Sequence, residues 1–153
     1  MKILLGISGS IAAYKTPDLV RKLLDAGHEL KIVMTKSAHA LVTKISLQAV
    51  SHQEVYEDLF SENNSNPMEH IVLAKWAEVI LIAPVSANIL GKLAHGLADD
   101  LLSTIYLASR ADLVIAPAMN KIMWEHAAVQ ENIKILKDRG AKFIGPGVGI
   151  QAC

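Results

Sequence analysis

Two asparagines follow segments of the same form. "IAPVSAN" (82–88) and "IAPAMN" (115–120) each lead from apolar residues through Ala-Pro to small residues and an asparagine. A side-chain amide offers two donors and an acceptor, so Asn88 and Asn120 could bind the edge of a flavin ring or a carboxylate. Either asparagine could instead form an Asx-turn or cap a helix.

Glycines and hydroxyl residues follow the first two apolar runs. In "GISGSIAAYK", Gly6 and Gly9 lie where a strand turns into a helix, and backbone N–H groups there can bind a phosphate, although a tight turn needs the same glycines. After the second run, "MTKSA" offers Thr35, Lys36 and Ser37 and lacks the acidic residue of a dinucleotide site. Two hydroxyls and a cation favour a mononucleotide phosphate, although Thr35 or Ser37 could cap the next helix.

A histidine and a cysteine are candidates for proton transfer. His70 opens the helical stretch "MEHIVLAKWAE", directly after a polar loop at 61–67. A histidine there could be a general base because its pKa lies near neutrality, although a lone histidine on a helix is more often structural. Cys153 is the single cysteine and the last residue of the sequence.

Short apolar runs alternate with helical patterns and would position these residues. The runs predict strands at Ile3–Ile7, Leu30–Met34, Val79–Ala83, Leu113–Ala116 and Phe143–Ile144, with a weaker one at Glu54–Tyr56. Near-continuous apolar strands are typical of a parallel sheet covered on both faces, so we expect a three-layer, doubly wound, Rossmann-like (flavodoxin-like) α/β fold of about six strands. Ligands of such sheets bind at the carboxyl ends of the strands, where the candidate residues lie.

The amino-acid composition limits which classes of molecule the protein could bind. The 153 residues are 52% hydrophobic, and fifteen basic residues balance fifteen acidic ones, which predicts one compact domain with no nucleic-acid or membrane partner. A single cysteine cannot form an internal disulfide, and no Cys/His cluster has metal-ligand spacing. We therefore expect a cytoplasmic protein without a metal site.

Taken together, these segments resemble the homo-oligomeric flavin-containing cysteine decarboxylases. The resemblance covers nearly the whole chain, and "PAMNKIMW" (117–124) fits the P-x-M-N-x-x-M-W signature of that family at every fixed position. It is greatest to members that decarboxylate 4'-phosphopantothenoylcysteine to 4'-phosphopantetheine in coenzyme A biosynthesis. The resemblance implies FMN as the cofactor and a lyase activity.

The resemblance also implies roles for individual residues. His70 matches the active-site histidine, Asn120 matches the asparagine that binds the substrate carboxylate, Met119 lies beside it, and Cys153 matches the cysteine that acts as the catalytic acid. The residues expected to bind FMN are Gly9, Ser10, Ile11, Thr35 and Ser37 around the phosphate and ribityl chain, and Pro84, Val85, Ser86, Ala87, Asn88 and Ala116 around the flavin.

The implied chemistry solves a problem of electron flow. A cysteine carboxylate has no electron sink for the pair left by departing CO2, so the flavin must first oxidise the thiol to a thioaldehyde, which lies β to the carboxylate. Loss of CO2 then gives an enethiolate, which is protonated and receives a hydride back from the reduced flavin to give 4'-phosphopantetheine. His70 would remove the first proton, Asn120 would orient the carboxylate, and Cys153 would protonate the enethiolate.

Assembly and chain length follow from the same resemblance. Members of the family form trimers or dodecamers with FMN between subunits, so at least a trimer is expected. In the family an arginine-containing flap follows the cysteine, and in bifunctional members a ligase domain follows the flap. We therefore expect residues 1–153 to be an FMN-binding decarboxylase domain truncated at the start of the flap.

Three other functions compete with this interpretation. A peptidyl-cysteine decarboxylase shares the histidine, the asparagine and the cysteine. A catalytically inactive, flavin-binding regulatory protein belongs to a different class and is disfavoured by His70, Asn120 and Cys153. A flavin prenyltransferase shares the fold, but the "PAMNKIMW" segment argues against it.

Overall fold

Six parallel strands form one sheet. The computed structural model describes residues 1–59 and 68–147, so the polar loop predicted at 61–67 lies outside the described residues. The strands are β1 (Lys2–Ile7), β2 (Glu29–Met34), β3 (Val55–Tyr56), β4 (Val79–Val85), β5 (Asp112–Pro117) and β6 (Lys142–Phe143). All six predicted strands are confirmed, with boundaries that differ by one or two residues.

Helices connect the strands. They are α1 (Thr16–Asp25), α2 (Lys44–Ser51), α3 (Glu69–Trp76), α4 (Ala87–His95), α5 (Leu101–Ala108), α6 (Lys121–Glu125) and α7 (Ala127–Asp138), and 3-10 helices at Ile11–Lys15 and Lys36–Ala40 follow β1 and β2. The local sequence determines where several helices begin and end. Ser86 accepts a hydrogen bond from the Ile89 N–H and begins α4, while Gly96 at φ +68° ends it in the left-handed conformation that glycine tolerates.

The strand order is β3-β2-β1-β4-β5-β6, with every neighbouring pair parallel. This is the Rossmann order, and the predicted doubly wound fold is confirmed. Without the two-residue edge strand β3, the other five strands follow the flavodoxin order. The order reverses between β1 and β4, so their carboxyl ends flank the crevice in which such folds bind ligands.

The two faces of the sheet carry different amounts of helical cover. On one face, buried residues of α3, α4, α5 and α7 pack on the sheet, whereas α1 and α2 are the α-helices of the described residues that contribute to the core on the other face. On β4 and β5, Ile82 and Ile115 face the first core and are fully buried, while Leu81 and Val114 point to the α1 face and are only half-buried. Apolar residues of β4 and β5 on the α1 face are therefore only partly covered.

Among residues 1–59 and 68–147, every helix is too short or too polar to cross a bilayer.

Candidate active site

The loop after β1 is hydrogen-bonded to the loops after β4 and β5. The Ser8 hydroxyl donates to the Pro84 carbonyl at 2.8 Å and accepts from the Ser86 N–H at 2.8 Å. The Ser10 hydroxyl donates to the Ala118 carbonyl at 2.7 Å. Three strand ends that are distant in sequence therefore meet at one edge, as the predicted sheet requires.

Gly9 allows the β1 loop to approach the β2 loop closely. A Cβ atom at this position would lie 2.6 Å from Cβ of Ser37, a separation that real side chains do not tolerate. The Thr35 and Ser37 hydroxyl oxygens lie 3.3 Å apart beside this contact, and Thr35 is buried. Thr35 begins the 3-10 helix Lys36–Ala40 without a side-chain capping bond, so the capping alternative does not account for these hydroxyls.

The donors around Gly9 suit an anion of the size of a phosphate. Within the described residues, the Gly9 N–H has no hydrogen-bond acceptor, and two hydroxyls lie beside it. Ser10 is different, because its N–H donates to the Ser8 carbonyl and its hydroxyl donates to Ala118. Of the residues predicted to bind a phosphate, the structure therefore brings Gly9, Thr35 and Ser37 together. The N–H and hydroxyl of Ser10 instead donate hydrogen bonds within the chain.

A mainly apolar pocket of about 250 Å³ lies between α1 and the ends of β4 and β5, and the bond from Ser10 to Ala118 joins the β1 loop to its wall. The residues that line it are Ala12, Lys15, Thr16, Leu19, Ala83, Pro84, Ala116, Pro117 and Ala118. Pro84 and Ala116 were predicted to contact a flavin, and the structure places both in this wall. The apolar lining fits a flat aromatic ring better than a polar ligand.

The other residues predicted around the flavin lie just beyond the pocket. Val85 is fully buried, and Ser86 caps α4 through the bond from Ile89 N–H at 3.3 Å. Ala87 and Asn88 form the first turn of α4, where Asn88 is exposed. Asn88 is therefore not the α4 cap, and its amide is accessible at the ligand-binding edge.

Asn120 combines a structural role with an accessible donor group. Its Oδ1 accepts a hydrogen bond from the Ile122 N–H at 2.8 Å and begins α6. The helix-cap alternative is therefore correct for this residue, but it uses only the carbonyl half of the amide. The exposed Nδ2 group remains oriented by the cap and could donate to a carboxylate. Met119 next to it is half-buried against the core.

His70 lies at the same edge but does not line the pocket. It is the second residue of α3, which packs through Leu73 and Ala74 on the face of the sheet opposite α1. The pocket, in contrast, opens on the α1 face. One copy of the chain therefore does not bring His70 into the cavity lined by Pro84 and Ala116.

Tyr56, which sequence analysis missed, lies close enough to Glu69, the residue before His70, for that carboxylate to affect its phenol. It ends β3, and burial raises the pKa of its phenol, with the carboxylates of Glu54 and Glu69 acting in the same direction. The phenol therefore stays protonated at neutral pH and can donate a hydrogen bond. The sequence carried only a weak signal for β3, so it did not indicate which residue of that strand would face this edge. Cys153 lies outside the described residues.

Comparison with known proteins identifies the family. The whole chain, residues 1–153, matches the family described as Flavoprotein. The chain belongs to the Flavoprotein family. Its relatives include the Coenzyme A biosynthesis bifunctional protein CoaBC of Escherichia coli, which is 47% identical over 99% of this chain and 37% of that protein. The chain thus spans little more than a third of the length of this curated relative.

Two solved structures extend the comparison. A cysteine-to-serine mutant of a PPC decarboxylase, complexed with pantothenoylaminoethenethiol, superimposes with a TM-score of 0.81 at 35% identity and covers 95% of this chain and 82% of that chain. The FMN-dependent cysteine decarboxylase SpaF gives a TM-score of 0.87 at 35% identity, covering 94% of this chain and 83% of that chain. A Rossmann-like flavoprotein fold is therefore common to these proteins and to this chain.

Proposed function

We propose that this chain binds FMN and catalyses the decarboxylation of 4'-phosphopantothenoylcysteine to 4'-phosphopantetheine, a step of coenzyme A biosynthesis. The observation that carries the proposal is the 47% identity, over 99% of the chain, to a protein named for coenzyme A biosynthesis. The structural similarity to a PPC decarboxylase that holds a pantothenoyl ligand supports the same reaction.

The geometry of the strand ends fits FMN. The Gly9 N–H and the hydroxyls of Thr35 and Ser37 would hold the phosphate, with Ser10 and Ile11 beside them. The flavin ring would lie against Pro84 and Ala116 in the adjoining pocket, and the predicted contacts of Val85, Ser86, Ala87 and Asn88 would continue its border. When bound, the flavin would take two electrons from the substrate thiol, which creates an electron sink for CO2 loss, and would return them to the product after CO2 has left.

The protein side chains would handle the carboxylate and the protons. The cap at Ile122 holds the Asn120 amide in one orientation, so its Nδ2 donors can bind the substrate carboxylate without further ordering. His70 would accept a proton from the substrate, and Cys153 would donate one to the enethiolate after CO2 has left. These roles of His70, Asn120, Met119 and Cys153 rest on the matching positions of the family.

The partly covered sheet supports a homo-oligomer, and the expected number of at least three copies rests on the family resemblance. Apolar side chains such as Leu81 and Val114 remain half-buried on the α1 face, where a parallel sheet is normally covered. A neighbouring copy could cover this face and bring its own His70 to the pocket that the first copy cannot reach with its own. The cytoplasmic location and the flap beyond Cys153 remain predictions.

Peptidyl-cysteine decarboxylation is a second candidate because a solved structure named peptidyl-cysteine decarboxylase EpiD has the same fold, with a TM-score of 0.84 over 96% of this chain. Its identity to this chain is 29%, against 47% for the coenzyme A biosynthesis protein. Phosphopantothenoylcysteine is therefore the better candidate for the substrate.

Two measurements on the purified chain test the proposal. The visible spectrum, followed by identification of any flavin released on denaturation, should show bound FMN. CO2 release should then be measured with phosphopantothenoylcysteine and, in parallel, with a peptide that ends in cysteine. A protein that takes up no FMN refutes the flavin site, while an FMN-loaded protein that acts only on the peptide refutes the coenzyme A assignment.

A further inference from the structure

Ser8 is a fully buried serine, and three of its polar contacts join it to one segment of another strand. Its N–H and its hydroxyl both donate to the Pro84 carbonyl, at 3.2 Å and 2.8 Å. Its hydroxyl oxygen also accepts from the Ser86 N–H at 2.8 Å. Ser8 is 0% exposed, so water cannot replace these bonds.

Backbone hydrogen bonds hold this segment only in part, through the carbonyls of Pro84 and Val85. The β1–β4 ladder runs from Ile3 opposite Val79 to Gly6 opposite Ile82. Beyond that point, Pro84 has no N–H to donate, and the register between β4 and β5 shifts between Ile82 and Val85. Irregularities of this kind re-aim side chains beside active sites, but they leave backbone groups without their usual ladder partners.

The Ser8 hydroxyl replaces the missing ladder contacts. It satisfies the N–H of Ser86, while the hydroxyl of Ser86 itself accepts the Ile89 N–H and starts α4. The backbone N–H of Ser86 is thus held by Ser8, and its side chain is held by the first turn of α4. A shift of this residue would move Pro84, which lines the pocket, and Val85 between them.

We propose that Ser8 is a positioning residue, whose hydroxyl fixes the Pro84–Ser86 segment in the conformation that contacts the flavin ring. This inference rests on the proposed function, because it assigns the segment to flavin binding. Ser8 itself lies beneath the loop and touches the cofactor only through Pro84 and Ser86. Its loss should therefore weaken FMN binding and change the environment of the ring, rather than remove a contact with FMN.

The chain contains a matched control for this proposal. Ser109, just before β5, donates to the Ala74 carbonyl at 2.9 Å and accepts from the Ala111 N–H at 3.1 Å. It has the same pair of hydroxyl contacts as Ser8 but lies at the opposite, amino edge of the sheet. Ser109→Ala therefore reports what the loss of such a hydroxyl does to stability alone.

The experiment compares Ser8→Ala, Ser8→Cys and Ser109→Ala with the wild-type chain. For each, the FMN dissociation constant, the visible absorption and circular dichroism of bound FMN, and the melting temperature of the FMN-free protein are measured. Leaving a buried donor unpaired commonly costs enough to change an equilibrium about tenfold, so we expect Ser8→Ala to raise the FMN Kd about tenfold and to shift the flavin bands. Ser109→Ala should lower the melting temperature and leave Kd and spectrum unchanged.

Ser8→Cys keeps the side-chain volume but is a weak hydrogen-bonding group, so it provides the test if Ser8→Ala does not fold. It should also raise Kd and shift the bands. Wild-type Kd and spectrum in a folded Ser8 variant overturn the positioning role, and so does an equal change of Kd in Ser109→Ala. A wild-type chain that binds no FMN refutes the proposed function instead, which is a separate result.

Discussion

At the residue scale, small steric and polar details decide how closely the strand ends meet. Gly9 has no side chain, which lets the loops after β1 and β2 approach each other, whereas the Asn120 amide caps α6 with its oxygen and leaves its nitrogen accessible. The sequence identified both residues as candidates. It could not predict that only the Asn120 oxygen would cap a helix, because that depends on where α6 begins.

Replacing Gly9 by alanine should weaken FMN binding strongly. The new Cβ would meet the Ser37 side chain and lie 3.2 Å from its backbone carbonyl carbon, so the β1 and β2 loops must separate. We expect the FMN Kd to rise at least about tenfold, which corresponds to a loss of about 1.4 kcal/mol of binding free energy. The measurement is a titration of flavin fluorescence.

Gly91→Ala is the control for that substitution. Gly91 lies inside α4, and a Cβ there would meet its nearest neighbour, Asn132 Nδ2, at an ordinary 3.6 Å. Alanine is the better helix former by about 1 kcal/mol, so this variant should be more stable and bind FMN normally. A Gly9→Ala protein with wild-type affinity would show that the two loops do not form the phosphate site.

Asn120→Asp should separate capping from substrate binding. The aspartate keeps an oxygen for the Ile122 N–H, so α6 should form as before. It replaces the Nδ2 donor by a negative oxygen, which loses a hydrogen bond to a charged group and repels the substrate carboxylate. We expect kcat/KM for CO2 release to fall about 100-fold, equivalent to about 3 kcal/mol, with an unchanged melting temperature. A wild-type rate in this variant would remove Asn120 from substrate binding.

At the scale of elements, apolar runs predicted the six strands because buried parallel strands must be apolar along their whole length. Their alternation with helices also predicted the doubly wound sheet. The contacts of Ser8 had no such signal, since a serine in a glycine-rich turn looks the same whether it bonds water or a distant carbonyl. The position of His70 across the sheet from the pocket depends likewise on tertiary structure.

A partly buried ion cluster joins α4 to the start of α5. Lys92, whose side chain is 16% exposed, contacts Asp99 at 2.8 Å and Asp100 at 2.7 Å, and Asp100 caps α5. Burial acts to lower the pKa of Lys92, but its hydrogen bonds to the two carboxylates outweigh burial and raise that pKa. The hydrogen bond from Lys92 is also the main cause of the lowered pKa of Asp99.

Lys92→Met should destabilise the fold by about 2 kcal/mol, between the values typical of surface and buried pairs, because it leaves Asp100 without its cation. Lys134→Met is the control, since the Lys134–Asp138 pair is exposed, with a side-chain exposure of 77% for the lysine. Its effect on the free energy of unfolding should be much smaller, because solvent screens an exposed ion pair. Chemical denaturation of both variants gives the free energies of unfolding, and equal values would show that the cluster does not stabilise the α4–α5 junction.

The same cluster predicts a pH dependence. A carboxyl whose pKa is lower in the folded than in the unfolded chain stabilises the fold above its unfolded pKa of about 3.9, and this contribution disappears as the pH falls through the folded pKa. Asp99 is such a group. The wild-type free energy of unfolding should therefore decrease below about pH 4. Lys92→Met should show a shallower decrease over that range, and an identical slope in both proteins would contradict the assignment.

At the scale of the whole molecule, the uneven cover of the sheet predicts assembly. Val114 on β5 points from the exposed part of the α1 face and is half-buried, so a neighbouring copy that covers this face would bury it. A lysine at this position would place a charge in that interface while it could still reach solvent in a single copy. Val114→Lys should therefore yield smaller, folded species by light scattering coupled to size-exclusion chromatography.

Leu107→Lys distinguishes this interface from other apolar surface. Leu107 is 50% exposed and belongs to α5, which packs on the opposite face of the sheet. Its replacement should leave the oligomer intact, because an isolated exposed leucine is common on protein surfaces. If Leu107→Lys dissociates the oligomer and Val114→Lys does not, the copies meet through the α5 face. In that case no neighbouring copy brings a histidine to the pocket between α1 and β5. His70 of the same chain would then have to reach the pocket by a rearrangement of α3.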